Sequence, residues 1–171
     1  MELKRNNLWA PWRIGYIQGL DKKQGCFICH SVKNPQRDED NFVLWRTKSC
    51  VVMFNKFPYN NGHLLLAPQR HIAGLEEFND SELLEFVKII AVSQKALTAA
   101  IKPHGFNVGM NIGRCAGAGL PEHLHIHIVP RWDGDTSFMD ICAGTDVISQ
   151  SMKDLYKQLK DISDKHNLPG F

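Results

Sequence analysis

Polar and apolar positions alternate through His123-Leu124-His125-Ile126-His127-Ile128, with Val129 following. Period two belongs to a strand, so segment 123–129 is predicted to be one. Three imidazoles then share a face, and Leu124, Ile126 and Ile128 turn into a core. Phe42–Trp45 and Cys50–Asn55 are rich in β-branched and aromatic residues and flank Thr47-Lys48-Ser49, which predicts a hairpin. His63–Ala67 is an apolar run ending at Pro68, and Gly105–Ile112 reads as another strand. Phe57–Gly62 reads as a loop from its Pro, Asn and Gly residues, as does Gly113–Gly119 with Gly113, Gly117 and Gly119.

Two stretches carry the helical period instead. Asn79-Asp80-Ser81-Glu82 has the form of a capped start. Leu83, Phe86, Val87, Ile90, Ala91 and Leu97 then follow at helical spacing, and Pro103 ends the helix near Lys102. A second helix is predicted from about Asp146 to His166, with Ile148, Met152, Leu155, Leu159 and Ile162 on one stripe. Residues 1–41 read as irregular, and Lys33–Asn41 as an exposed loop. Hairpin-like strands with two long helices predict an α+β fold with a mainly antiparallel sheet of about five strands. The chain divides into an arm (1–41), a core (42–132) and a helical extension (133–171), all within one domain.

Composition changes little of this. In 171 residues, hydrophobic positions are 43% and charged positions 22%, which excludes disordered, collagen-like and coiled-coil classes. Twenty Lys and Arg against 18 Asp and Glu leave a charge of +2, which suggests neither a nucleic-acid nor a membrane partner. No run of 18 apolar residues is present, and the polar start Met1–Asn7 lacks a signal-peptide core, so a cytoplasmic protein is expected. The unusual counts are eight His and five Cys, the latter expected to be reduced.

The histidine strand carries the chemistry. Same-face residues lie roughly 6.6–6.8 Å apart along a strand, a spacing suited to an extended polyphosphate. Imidazole titrates near neutrality and serves as nucleophile, proton carrier or metal ligand. The plain alternative is a histidine-rich strand on a wet surface, but strict period two with apolar partners and a glycine loop just before it favours a reaction centre.

His-φ-His-φ-His-φ-φ, where φ is apolar, resembles the signature of the histidine triad (HIT) nucleotide hydrolases and transferases. Asn55 with Pro58, Gly62-His63 and Pro68-x-x-His71 resemble its upstream block, and Asn111 with Gly113–Gly119 its phosphate-contacting loop. Pro130-Arg131-Trp132 follows the triad. Leu8-Trp9-Ala10-Pro11-Trp12-Arg13, Cys26-x-x-Cys29 and Ala116-Gly117-Ala118-Gly119 resemble the bacterial diadenosine polyphosphate hydrolase/phosphorylase branch. The resemblance implies a HIT-like fold and a nucleotide substrate. His125 would be the nucleophile, forming a nucleotidyl-histidine that water or orthophosphate then releases. His127 would contact the transferred phosphate or leaving oxygen, and His63 would sit behind the triad and orient His125. Asn111 and the amides around Gly117, Ala118 and Gly119 would cradle phosphate, and Asn55 would hold ribose or phosphate. Efficient hydrolases of the family often carry Gln or Ser just before the triad. Ala118-Gly119-Leu120-Pro121 offers no such donor, which leaves phosphorolysis open. A homodimer is also implied. Phosphoramidate hydrolysis and non-enzymatic nucleotide binding are the competing readings.

Cys26-Phe27-Ile28-Cys29 is a zinc half-site or, alternatively, a buried or redox thiol pair. By the resemblance, His71 and His123 complete a structural Zn2+ site that tethers the arm, with His30 the competing ligand. His104 and His166 read as solvated cations near helix ends. Cys50, Cys115 and Cys142 read as unpaired. Trp9, Trp12 and Arg13 would cover a base, cover a dimer surface or pack as ordinary core.

Overall fold

Five strands in the order β1-β2-β3-β5-β4, every neighbour antiparallel, form the sheet of the computed structural model. The structure describes residues 25–135 and 148–170. The Leu8–Arg13 motif, Cys142 and the expected helix start at Asp146 lie outside them. The strands are β1 (Val43–Arg46), β2 (Cys50–Phe54), β3 (Leu64–Pro68), β4 (Gly105–Met110) and β5 (Ile126–Arg131). Among the described residues the α-helices are α1 (Phe27–Lys33), α2 (Asp80–Ile101) and α3 (Met152–His166).

One sheet face carries Val52, Phe54, Leu64, Leu66, Ile126 and Ile128, and α2 and α3 cover it with Phe86, Ile89, Leu97, Leu155 and Leu159. Three hydrogen bonds fix α3 to β1: Trp45 Nε1–H to Ser163 Oγ, Tyr156 O–H to Val43 O and Lys160 Nζ to Leu44 O. The other face carries Val43, Val51, Met53, Leu65 and Ala67, with Ile28 of α1 fully buried against them. The expected reaction centre lies on this second face, because His127 pairs with Leu65 on β3 and Gly109 on β4.

The capped start of α2 forms as expected: Asn79 accepts from Glu82 N–H, and the Glu82 carboxylate accepts from Asn79 N–H. The arm departs from expectation. Phe27–Lys33 is helical, and a 3-10 turn at Pro35–Arg37 follows where an exposed loop was expected. Seven residues are too few for periodicity to reveal, and tertiary contacts hold them. Cys26 Sγ caps the first turn, Ile28 packs beneath the sheet, and Arg46, paired with Asp38, donates to the carbonyls of Ser31 and Val32. The histidine strand also starts later than its alternation predicts. Leu124 N–H bonds to Ile72 O and His123 N–H to Leu120 O, so the regular ladder begins only at Ile126. Leu124, Ile126 and Ile128 are nevertheless buried as the pattern requires.

Candidate active site and metal centre

Four histidines form two clusters, His71 with His123 and His63 with His127, and His125 lies between them. At the first, His123 is fully buried and its Nε2 lies 2.9 Å from Pro68 O. A carbonyl only accepts, so Nε2 carries the proton and Nδ1 presents its lone pair. That lone pair meets Cys26 Sγ at 3.1 Å, His71 Nδ1 at 3.2 Å and Cys29 Sγ at 3.5 Å. Cys29 Sγ is also 3.2 Å from His71 Nδ1, and all four donor atoms lie within 4.8 Å of one another. A tetrahedral zinc with Zn–S of ~2.3 Å and Zn–N of ~2.0–2.1 Å has donor–donor edges of roughly 3.3–3.8 Å. The donor set therefore fits such an ion, and the Pro68 carbonyl supplies the orienting hydrogen bond that metal-bound imidazoles require. Burial pushes the Cys26 thiol up to about 11, more than its helix-capping bond from Cys29 N–H lowers it, and a cation is what stabilises sulfur as thiolate there. His30, the competing ligand, is exposed and outside the cluster.

His125 continues from this cluster. Its Nδ1 lies 2.9 Å from the His123 carbonyl oxygen, so Nδ1 donates and Nε2 keeps the lone pair. The His125 and His127 rings meet edge-on at 5.1 Å.

The second cluster is built on the loop before β3. Gly62 adopts a positive φ of 76°, and a Cβ there would lie 2.8 Å from Ile101 Cδ1. Only glycine makes this turn at this packing distance, and it delivers His63 into the sheet fully buried. His63 Nδ1 accepts the Tyr59 N–H at 3.1 Å, with the Asn55 amide 3.4 Å away. Nδ1 is thus the acceptor, so Nε2 of the neutral ring holds the proton and donates to His127 Nδ1 at 2.9 Å. His127 in turn keeps its proton on Nε2. Sequence reasoning aimed His63 at His125; its hydrogen-bond partner is His127. Burial, with adjacent imidazoles adding to it, lowers His63 to about 3 and His127 to about 4, so both are neutral near pH 7.

These neutral rings make the fold acid-sensitive. In the unfolded chain both titrate near ~6.5, so between the two sets of values the unfolded state binds more protons. Their contribution is fully present above pH ~6.5 and is lost as pH falls toward the folded values. Melting of the chelator-treated protein is expected to shift down steadily from pH 7 to 4.5, and less steeply in His63→Gln. Equal slopes in the two proteins would refute the assignment.

The glycine loop differs from a fully open cradle. Gly117 N–H bonds to Arg114 O and Ala118 N–H to Gly113 O, closing a 3-10 turn at Arg114–Ala116. Asn111 Nδ2–H donates to Gly117 O at 3.4 Å, tying the end of β4 to the loop, and Gly119 follows. Asn55 Oδ1 accepts from Phe57 N–H, so that side chain shapes the loop before His63. Two residues escaped the sequence reading. Tyr59 overlies His63 and His127, and Gly109 leaves space beside His127 with no atom within 4 Å of an added Cβ. Alternation along β4 could have indicated Gly109, whereas nothing local marks Tyr59.

A family model for the HIT domain matches residues 36–134. An AP-4-A phosphorylase of Mycobacterium tuberculosis is 38% identical over 161 residues, covering 89% of this chain and 81% of that protein. A bis(5'-nucleosyl)-tetraphosphatase (asymmetrical) of Schizosaccharomyces pombe is 32% identical over 99 residues, covering 58% of this chain and 54% of that one. Among solved structures, a hypothetical histidine triad nucleotide-binding protein of Sulfolobus tokodaii superposes with a TM-score of 0.65 at 26% identity, covering 82% of this chain and 93% of that one. A Zn-bound histidine triad protein of Mycobacterium smegmatis gives 0.67 at 19% identity, over 84% and 96% of the two chains.

Proposed function

The chain belongs to the HIT-domain family, and from that premise we propose that it cleaves dinucleoside polyphosphates of the diadenosine type through a nucleotidyl adduct on His125, with orthophosphate as the second acceptor. It is a nucleotide-processing enzyme of that family. The observation that carries the reading is the His125 ring, whose Nδ1 donates to the His123 carbonyl and so leaves the Nε2 lone pair as the nucleophile.

Nε2 attacks the α-phosphorus, and the bond to the bridging oxygen breaks with its electron pair on the departing polyphosphate. His127, protonated on Nε2 through the chain from Tyr59 N–H and His63, keeps that proton and donates a hydrogen bond to the departing oxygen, whose negative charge stays on the released polyphosphate. Phosphate oxygen then attacks the adduct, the P–N bond breaks, and His125 recovers its lone pair. Ala118-Gly119-Leu120-Pro121 offers no side-chain donor before the triad, which leaves room for phosphate. The 38% identical phosphorylase supports the same acceptor.

Cys26, Cys29, His71 and His123 would hold structural zinc. Bound there, the ion supplies a fixed cross-link between the arm and the segment leading into the triad.

A second copy of the chain is the proposed partner. Edge strand β4 exposes Val108, and α2 exposes Leu84 and Val87 at 57% and 62%, apolar side chains available for self-association. Sedimentation of a monomer at micromolar concentration would reject it. Among the described residues no helix is long and apolar enough to cross a membrane, and cytoplasmic residence is proposed with it.

Product analysis tests the acceptor. Diadenosine tetraphosphate with orthophosphate is expected to yield ADP and ATP, and ADP should vanish when phosphate is omitted. AMP release at an unchanged rate without phosphate would replace phosphorolysis by hydrolysis.

A further inference from the structure

We propose that Tyr59 is a positioning residue for the leaving-group step, holding the His127 ring by stacking so that its Nε2–H meets the departing oxygen; this rests on the role proposed for His127. The Tyr59 ring lies 5.6 Å from the His127 ring at 24° and 4.7 Å from the His63 ring. It covers the pair from the solvent side, being 52% exposed while His63 is fully buried.

The sheet alone holds His127 on one side only. Leu65 of β3 flanks it, but its β4 neighbour is Gly109, with no atom within 4 Å of where a Cβ would stand. Among the described residues His127 makes one side-chain hydrogen bond, through Nδ1, and the His63 and His125 rings meet it only tilted or edge-on at 5.1 Å, so rotation about that axis is unconstrained by hydrogen bonding. An overlying aromatic plane supplies the missing restraint. The loop fixes that plane from both ends. Asn55 Oδ1 accepts Phe57 N–H before it, and after it Asn60 Nδ2–H donates to Asp135 Oδ2, itself paired with Arg131.

Ring and amide act separately in this arrangement. Tyr59 N–H, which sets the His63 tautomer, survives any substitution except proline, so a side-chain change removes only the stack. Loss of the stack impairs the transition state in proportion to how much the leaving oxygen needs a donor.

The test uses full-length protein and a series of adenosine 5'-monophosphate aryl esters of graded phenol acidity, reading the phenol released as the adduct forms. Y59A is expected to lose about 10- to 100-fold on unsubstituted phenol and little on nitrophenol, steepening the leaving-group dependence. Y59F, which restores the ring without the hydroxyl, is expected to restore the wild-type slope. Uniform loss across the series, no loss, or a Y59F slope equal to that of Y59A would each overturn the proposal. Nitrogen NMR of the imidazoles decides it without substrate. His127 should be protonated at Nε2 in wild type, Y59F and Y59A alike, because the amide relay survives in all three, with its ring signals broadened by reorientation in Y59A alone; equally sharp His127 signals in Y59A and wild type would reject the positioning role. If the wild type cleaves none of the esters, the functional reading fails while the NMR result still judges Tyr59.

Discussion

His125→Ala is expected to abolish turnover, by ~10^4-fold or more, while the protein keeps its fold and nucleotide affinity. The imidazole is 8% exposed and, among the described residues, its one side-chain hydrogen bond runs to the His123 carbonyl, so truncation removes one ring and leaves that carbonyl as a free acceptor. The separation of effects is what identifies a nucleophile. His127→Ala should slow the first step and still permit an adduct with an activated leaving group, whereas His125→Ala has no atom on which to form one. Melting by circular dichroism beside steady-state assays checks this. Comparable residual activity in both variants would place the nucleophile elsewhere.

Stripping metal with a chelator is expected to lower the melting temperature by roughly 10 °C and to reduce turnover with it. A ligand bound about a thousandfold above its dissociation constant stabilises by ~4 kcal/mol, and each kcal/mol moves a domain of this size by roughly 2–4 °C. Activity follows because His123 serves both clusters. Its Nδ1 faces Cys26, Cys29 and His71, and its own carbonyl orients His125. Releasing the side chain loosens the peptide that fixes the nucleophile's tautomer. Cys26→Ser and Cys29→Ser should reproduce both effects, and zinc should restore them only in the wild type. A chelated protein with unchanged melting and turnover would dissociate the cluster from the fold.

Much of this molecule is legible along the chain, and what is hidden has a common cause. The hairpin 42–55, the capped start at Asn79 and the burial of Ile126 and Ile128 all follow from local pattern, because period and capping chemistry are short-range properties. Cys26, Cys29, His71 and His123 are legible as candidate metal donors through family resemblance, and the structure brings them together. Helix α1 was not, because Ile28 beneath the sheet and Arg46 at its last carbonyls hold it from distant positions. The later start of β5 has the same origin, since Ile72 and Pro68 hold residues 123 and 124 away from the ladder. The partner of His63 was misjudged for a geometric reason. Alternation puts imidazoles on one face but does not say which one a residue 64 positions away will meet.

The direct measurement is capture of the intermediate. Wild-type protein mixed with diadenosine tetraphosphate in the absence of orthophosphate, quenched in base within milliseconds to seconds and digested, should yield a peptide carrying AMP on the middle histidine of His123–His127. The label should discharge as ADP when phosphate is added before quenching. Turnover of the same substrate with no trapped adduct, or an adduct on a residue other than His125, would contradict the account.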